Sequence, residues 1–90
     1  MSPESAEHRL KRLKLRSWRR GIKEMDLILG KFADAQLTTL PPEDLDAYEE
    51  LMEIDDQTLY AMFGVKVADP PEHKNMLNRI RVFHNLPETQ

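Results

Sequence analysis

Apolar residues recur along this 90-residue chain at helical rather than strand spacing. Leu10 and Leu13, with Trp18 extending the stripe and Leu15 beside it, sit among arginines and lysines, and the pattern predicts a basic amphipathic helix over residues 5–19. A second helix is predicted over residues 22–38, where Ile22, Met25, Leu29, Phe32, Ala33 and Gln36 keep the helical repeat. Leu27, Ile28 and Leu37 widen its apolar arc, which suits a central helix buried on more than one side. Gly30 inside it costs about 1 kcal/mol relative to alanine and is expected to mark close helix–helix packing.

A linker, Thr38 to Pro42, leads to a third helix whose first turn holds Pro42, Glu43 and Asp44. Leu45, Tyr48, Leu51 and Met52 form its buried stripe, and Asp46, Glu49, Glu50 and Glu53 its solvated face. Asp56 is the expected N-cap of a short fourth helix ending near Phe63, with Leu59, Met62 and Phe63 inward and Gly64 as its stop. After a connection over residues 65–68, Asp69 is expected to cap a fifth helix with Pro70 at its first position. Met76 or Leu77, Ile80, Phe83 and His84 form its stripe, and Pro87 ends it. No segment alternates like a strand. The expected fold is all-α, a compact bundle of about five short helices with brief loops. It forms a single domain over residues 1–90, with 1–4 and 87–90 frayed.

Charge divides the chain. Residues 9–23 carry eight basic residues and no acid, whereas residues 24–72 carry thirteen acids against Lys31 and Lys66. The basic face of the first helix has three uses open to it: a solvated face complementing the acidic body, nucleic acid, or an acidic protein. The first is preferred. A net charge of −3 argues against bulk nucleic-acid binding. No apolar run reaches the ~18 residues of a membrane span, and no apolar stretch follows the N-terminal basic residues as in a secretory signal. Glu4 and Glu7 weigh against a mitochondrial transit peptide. The absence of cysteine removes disulfides, thiolate metal sites and a cysteine nucleophile.

Candidate chemistry is sparse. His8, His73 and His84 lie in different elements without metal-ligand spacing. The only serines are Ser2, Ser5 and Ser17, and the glycines at 21, 30 and 64 are isolated, so neither a nucleophile elbow nor a phosphate loop is present. Asp55–Asp56 suits capping better than paired-carboxylate catalysis. What remains is Arg19-Arg20-Gly21-Ile22-Lys23-Glu24-Met25-Asp26, where the charge changes sign. As a plain helix junction it would offer an Arg20–Glu24 pair spaced i, i+4, in the weaker orientation, worth about 0.2–0.3 kcal/mol. As a recognition patch it offers exposed glycine backbone, an arginine fork for carboxylate or phosphate, and acceptors at Glu24 and Asp26. The residues alone leave these two readings level.

Arg20-Gly21-Ile22-Lys23-Glu24 resembles the RGxxE motif of the succinate dehydrogenase flavinylation factors, continued by Met25 and Asp26. Leu51-Met52-Glu53-Ile54-Asp55-Asp56-Gln57-Thr58-Leu59-Tyr60 resembles a second block of that family, with Gln57 where proline is usual. Trp18 falls at a variable position and takes no function. The resemblance spans about residues 8–84. It implies a non-enzymatic, five-helix assembly factor that holds no cofactor stably. Such a factor binds the flavoprotein subunit of succinate dehydrogenase, and in some bacteria that of fumarate reductase, and promotes covalent attachment of FAD to a client histidine. It further implies a client-facing surface made of Arg20 for charge-assisted pairing, Gly21 for close backbone approach, and Glu24 and Asp26 for hydrogen bonding. Arg19 and Lys23 come second. A monomer acting in a bacterial cytoplasm rather than the mitochondrial matrix, with no nucleic-acid partner and no membrane insertion, is the matching expectation. The rival is an antitoxin-type or nucleic-acid-binding regulator using the basic first helix.

Overall fold

The computed structural model describes residues 4–64 and 66–88. Over these residues the chain forms five α-helices: α1 (Ala6–Trp18), α2 (Lys23–Gln36), α3 (Pro42–Leu51), α4 (Asp56–Phe63) and α5 (Lys74–Phe83). Short 3₁₀ turns follow α2 at Leu37–Thr39 and precede α5 at Pro71–His73. There is no strand among the described residues.

Most of the wide apolar arc of α2 is buried as its sequence predicts, but Leu27, expected to widen it, is 40% exposed. Met25, Leu29, Phe32 and Ala33 are fully buried. α2 pairs most extensively with α1 and also packs on α4 and α5. Phe32 stacks on Tyr48 of α3 at 5.7 Å and meets Phe83 of α5 edge-on at 5.6 Å, so one ring ties three helices together. Gly30 is where α1 comes closest. A Cβ there would lie 2.3–2.6 Å from three atoms of the Trp18 indole, which rests on the glycine and donates Nε1–H to Asp34 at 3.1 Å. Trp18 is thus a packing residue that uses the gap left by Gly30.

α1 is capped by Ser5, whose hydroxyl accepts from the His8 amide. Its buried stripe is narrower than predicted: Leu13 and Ser17 are buried, Leu10 packs at the edge, and Leu15 is 52% exposed. Ser17 donates to the Leu13 carbonyl at 2.7 Å and shares a 2.6 Å bond with the Tyr48 hydroxyl, so both polar groups are satisfied inside the core. Burial pushes the Tyr48 phenol up to about 12, against the smaller opposing effect of the Ser17 bond. The basic face of α1 meets the acidic face of α3. Arg9 bonds Asp46 and Glu49, Arg12 bonds Glu49 and Glu4, and Arg16 pairs with Glu53 at 3.3 Å. Glu4, placed by the sequence in a frayed segment, is therefore tied to α1; residues 1–3 and 89–90 lie outside the described residues.

Two capping expectations are corrected. Asp55, not Asp56, caps α4, accepting from the Thr58 amide at 3.1 Å. Asp69 is not the N-cap of α5, because Pro70 is extended and α5 starts only at Lys74. A proline forces the residue before it out of helical geometry, and Pro71 does this to Pro70. The Asp69 carboxylate instead receives both terminal nitrogens of Arg81, at 2.6 and 2.8 Å, in a pair only 3% and 0% exposed. The Arg81 guanidinium also donates to the Met62 carbonyl and lies 5.7 Å from the centre of the Phe63 ring, binding α5 to the end of α4. α5 ends in a Schellman motif. Asn85 adopts φ 59°, and the Asn85 and Leu86 amides reach back to the Val82 and Arg81 carbonyls, with Pro87 beyond.

Candidate recognition surface

The α1–α2 loop, residues 19–22, brings the singled-out residues together and then divides them. Arg19 closes α1 through its amide to the Arg16 carbonyl. Gly21 then turns the chain at φ 98°, a conformation L side chains rarely adopt. A Cβ at Gly21 would meet Asp56 Oδ2 at an unstrained 3.7 Å, so the backbone angle and not crowding calls for glycine. α2 starts at Lys23 without a side-chain cap on Ile22. Asp26, one turn in, reaches back to accept the Arg20 amide at 2.6 Å and folds the loop onto the helix start.

Arg20 was expected to offer its fork to a partner. Its side chain is 8% exposed and its donors point into the chain. Nε bonds Asp56, Nη1 donates to the Met52 carbonyl at 2.7 Å, and Nη2 donates to the Ile54 carbonyl at 2.6 Å. The i, i+4 pair with Glu24 does not form, because the more buried Asp56 takes that place. Arg20 therefore stitches the α1–α2 loop to the α3–α4 loop, and the two sequence blocks that carry the family resemblance meet through it.

The other candidates face solvent. Arg19, Gly21, Lys23 and Glu24 are exposed. Neither Arg19, Lys23 nor Glu24 has a side-chain hydrogen bond or ion pair with any described residue. Two cations and a carboxylate are thus presented beside a bare glycine backbone, with no internal partner to compete for them. One turn along α2 from Glu24, Ile28 enters a groove of about 400 Å³ shared with α4. Its lining is mainly apolar (Tyr60, Ala61, Phe63 and Leu86), with Gln57 and Lys66 at its rim. Tyr60 is 48% exposed there. Sequence reasoning missed this groove because it treated α4 as a one-sided helix.

The α1 basic face is occupied differently. The hydrogen bonds that Arg9 donates to Asp46 and Arg12 to Glu4 push their guanidinium groups up. Burial alone would push the Glu49 carboxyl up, but the bonds from Arg12 and Arg9 outweigh it and hold the group below its ordinary value. These arginines are engaged by the protein's own acids, as the preferred reading of that face anticipates. Among the described residues no group of three histidine, aspartate or glutamate side chains is placed to hold a metal ion. No described helix is long and apolar enough to cross a membrane.

Fold and surface together define a small all-helical protein that presents a glycine-turned, charged loop beside an apolar groove. The family described as flavinator of succinate dehydrogenase matches residues 11–84, and the chain belongs to that family. It is 39% identical over 85 residues to a succinate dehydrogenase assembly factor 2, mitochondrial, from Kluyveromyces lactis, covering 89% of this chain and 52% of that protein. It is 35% identical over 71 residues to the protein of the same name from Komagataella phaffii, covering 77% of this chain and 37% of that one. The chain thus spans about half or less of the length of these curated relatives. No solved structure matches it significantly. The expectation of a bacterial cytoplasmic protein is corrected here: these relatives are named mitochondrial and come from yeasts.

Proposed function

We propose that this chain is a succinate dehydrogenase assembly factor that binds the flavoprotein subunit and promotes covalent attachment of FAD to it. The observation that carries this reading is the α1–α2 loop. The Arg20–Glu24 segment lies within the family match, and the loop leaves Arg19, Lys23 and Glu24 without internal partners around Gly21. The protein acts as a non-catalytic chaperone and holds no flavin stably. The reacting histidine and flavin belong to the client, and the factor holds the client so that they meet. Orientation of this kind can contribute up to about 7–11 kcal/mol to a barrier. Arg19, Lys23 and Glu24 supply pairing groups, Gly21 supplies accessible backbone, and Arg20 and Asp26 shape the loop. The groove beside Glu24 extends the same surface.

The test is co-purification. Tagged chain should retain the purified flavoprotein subunit, and Glu24→Ala should release it. The nucleic-acid alternative predicts instead duplex-DNA binding that falls steeply with salt. Capture of DNA without capture of the flavoprotein would reverse the assignment.

A further inference from the structure

The Arg20 guanidinium reaches across 36 residues of sequence to Asp56, and this contact has a consequence for the surface. Asp56 is the first residue of α4, 18% exposed at its side chain, and unlike Asp55 it makes no capping bond. One of its oxygens takes the Arg20 Nε–H. The other lies 3.7 Å from where a Cβ on Gly21 would sit, so the carboxylate underlies the turn that Gly21 makes. The remaining Arg20 donors hold the Met52 and Ile54 carbonyls, the last turns before α4. Asp26 secures the Arg20 amide from the opposite side. The loop is therefore gripped at one residue by both helices that wall the apolar groove.

We infer that Asp56 is a positioning residue for the recognition surface, acting through Arg20 to fix the Gly21 turn and the start of α2 against α4. The inference rests on the client-binding reading of that surface. Asp56 touches no client group. It removes freedom from a loop whose exposed groups must be presented together, and it sets the loop's height above the groove. The fork geometry matters as much as the charge. A lysine at position 20 keeps the charge but cannot serve one carboxylate and two carbonyls in fixed directions.

The test measures binding of the purified flavin-free flavoprotein subunit to the full chain and its variants, at a temperature where each is folded by circular dichroism. Asp56→Ala and Arg20→Lys should each weaken binding roughly tenfold to a hundredfold, the scale of an ångström-level misplacement of contact groups. The double variant Arg20→Ala/Asp56→Ala should be no worse than Arg20→Ala alone, since Asp56 acts only through Arg20. Asp55→Ala removes the true cap of the same helix and should change binding by no more than about twofold, although it lowers stability. Amide resonances of Gly21, Ile22 and Lys23 should shift in Asp56→Ala and stay in place in Asp55→Ala. If Asp56→Ala does not fold, Asp56→Asn, which keeps an acceptor for Nε, replaces it and should show a smaller loss of the same kind. Normal binding by Asp56→Ala, or by its folded replacement, alongside a defective Glu24→Ala overturns the positioning role and leaves the surface assignment standing. Normal binding by Glu24→Ala as well overturns both.

Discussion

Replacing Asp69 separates two accounts of one residue that differ several-fold in energy. As a helix cap it would contribute about 0.5–2 kcal/mol, and serine would substitute well. In the structure it neutralises Arg81, which is fully buried, through two bonds of 2.6 and 2.8 Å. Removing one partner of such a pair leaves a buried charge and typically costs about 3–5 kcal/mol. Arg81 would keep its bonds to the Met62 carbonyl and Asn78, which places Asp69→Ala toward the lower end of that range. A chain of this length has a total stability of roughly 5–14 kcal/mol, so the loss is a large share of it. The melting midpoint should fall by about 12 °C or more, at roughly 4–8 °C per kcal/mol for a domain of this size. Urea unfolding followed by circular dichroism gives the free energy, provided the m-value is unchanged. Asp69→Ser is the decisive companion, since it keeps a capping oxygen and loses the charge. It should be nearly as unstable as Asp69→Ala. A parent-like Asp69→Ser, or an Asp69→Ala that loses under about 1 kcal/mol, would refute the pairing account.

Gly30→Ala should destabilise by about 1–3 kcal/mol in urea although alanine is the better helix former, because its methyl runs into the Trp18 indole; removing the ring as well, in Gly30→Ala/Trp18→Ala, should abolish the clash. Phe32→Ala should lose about 3–5 kcal/mol, and a loss under about 0.5 kcal/mol would show that α2 is not central. Acid should weaken the seam between α1 and α3. The folded Glu49 carboxyl lies below its ordinary value because the Arg12 and Arg9 bonds outweigh its burial. Its contribution is therefore full above the unfolded value of about 4.3 and is lost as pH falls through the folded value. Glu49→Gln should flatten the stability profile in that acid window and leave its shape from pH 6 to 8 unchanged.

Most of the architecture was legible because it rests on local signals. Helical periodicity placed all five helices, and Pro42 with Glu43 and Asp44 located the start of α3. The misses are non-local. Nothing near Arg81 in sequence announces that it is buried, and its partner Asp69 sits 12 residues away. A basic residue one step from Ile80 and four from Leu77 was nonetheless a warning that the inward face needed an acid. The Asp55–Asp56 doublet was read one residue late, since adjacent carboxylates at a helix start cannot both fold back, and the one left over was free for Arg20. Pro70-Pro71 carried a signal that was overlooked, because the second proline bars the first from the helix. Within the candidate surface, the exposed positions of Arg19, Lys23 and Glu24 followed from the sequence. The inward turn of Arg20 did not, because its partners lie more than 30 residues on.

The most direct measurement is covalent flavin on the flavoprotein subunit in cells lacking their native factor and supplied with Glu24→Ala. Glu24 is exposed and makes no hydrogen bond or ion pair with a described side chain, so its loss should cost at most about 1 kcal/mol, from the helix dipole. Client binding through that carboxylate predicts that covalent flavin falls about tenfold or more while the melting midpoint moves by no more than about 8 °C. Normal flavin attachment by the folded Glu24→Ala protein would contradict the assignment of this surface to client recognition.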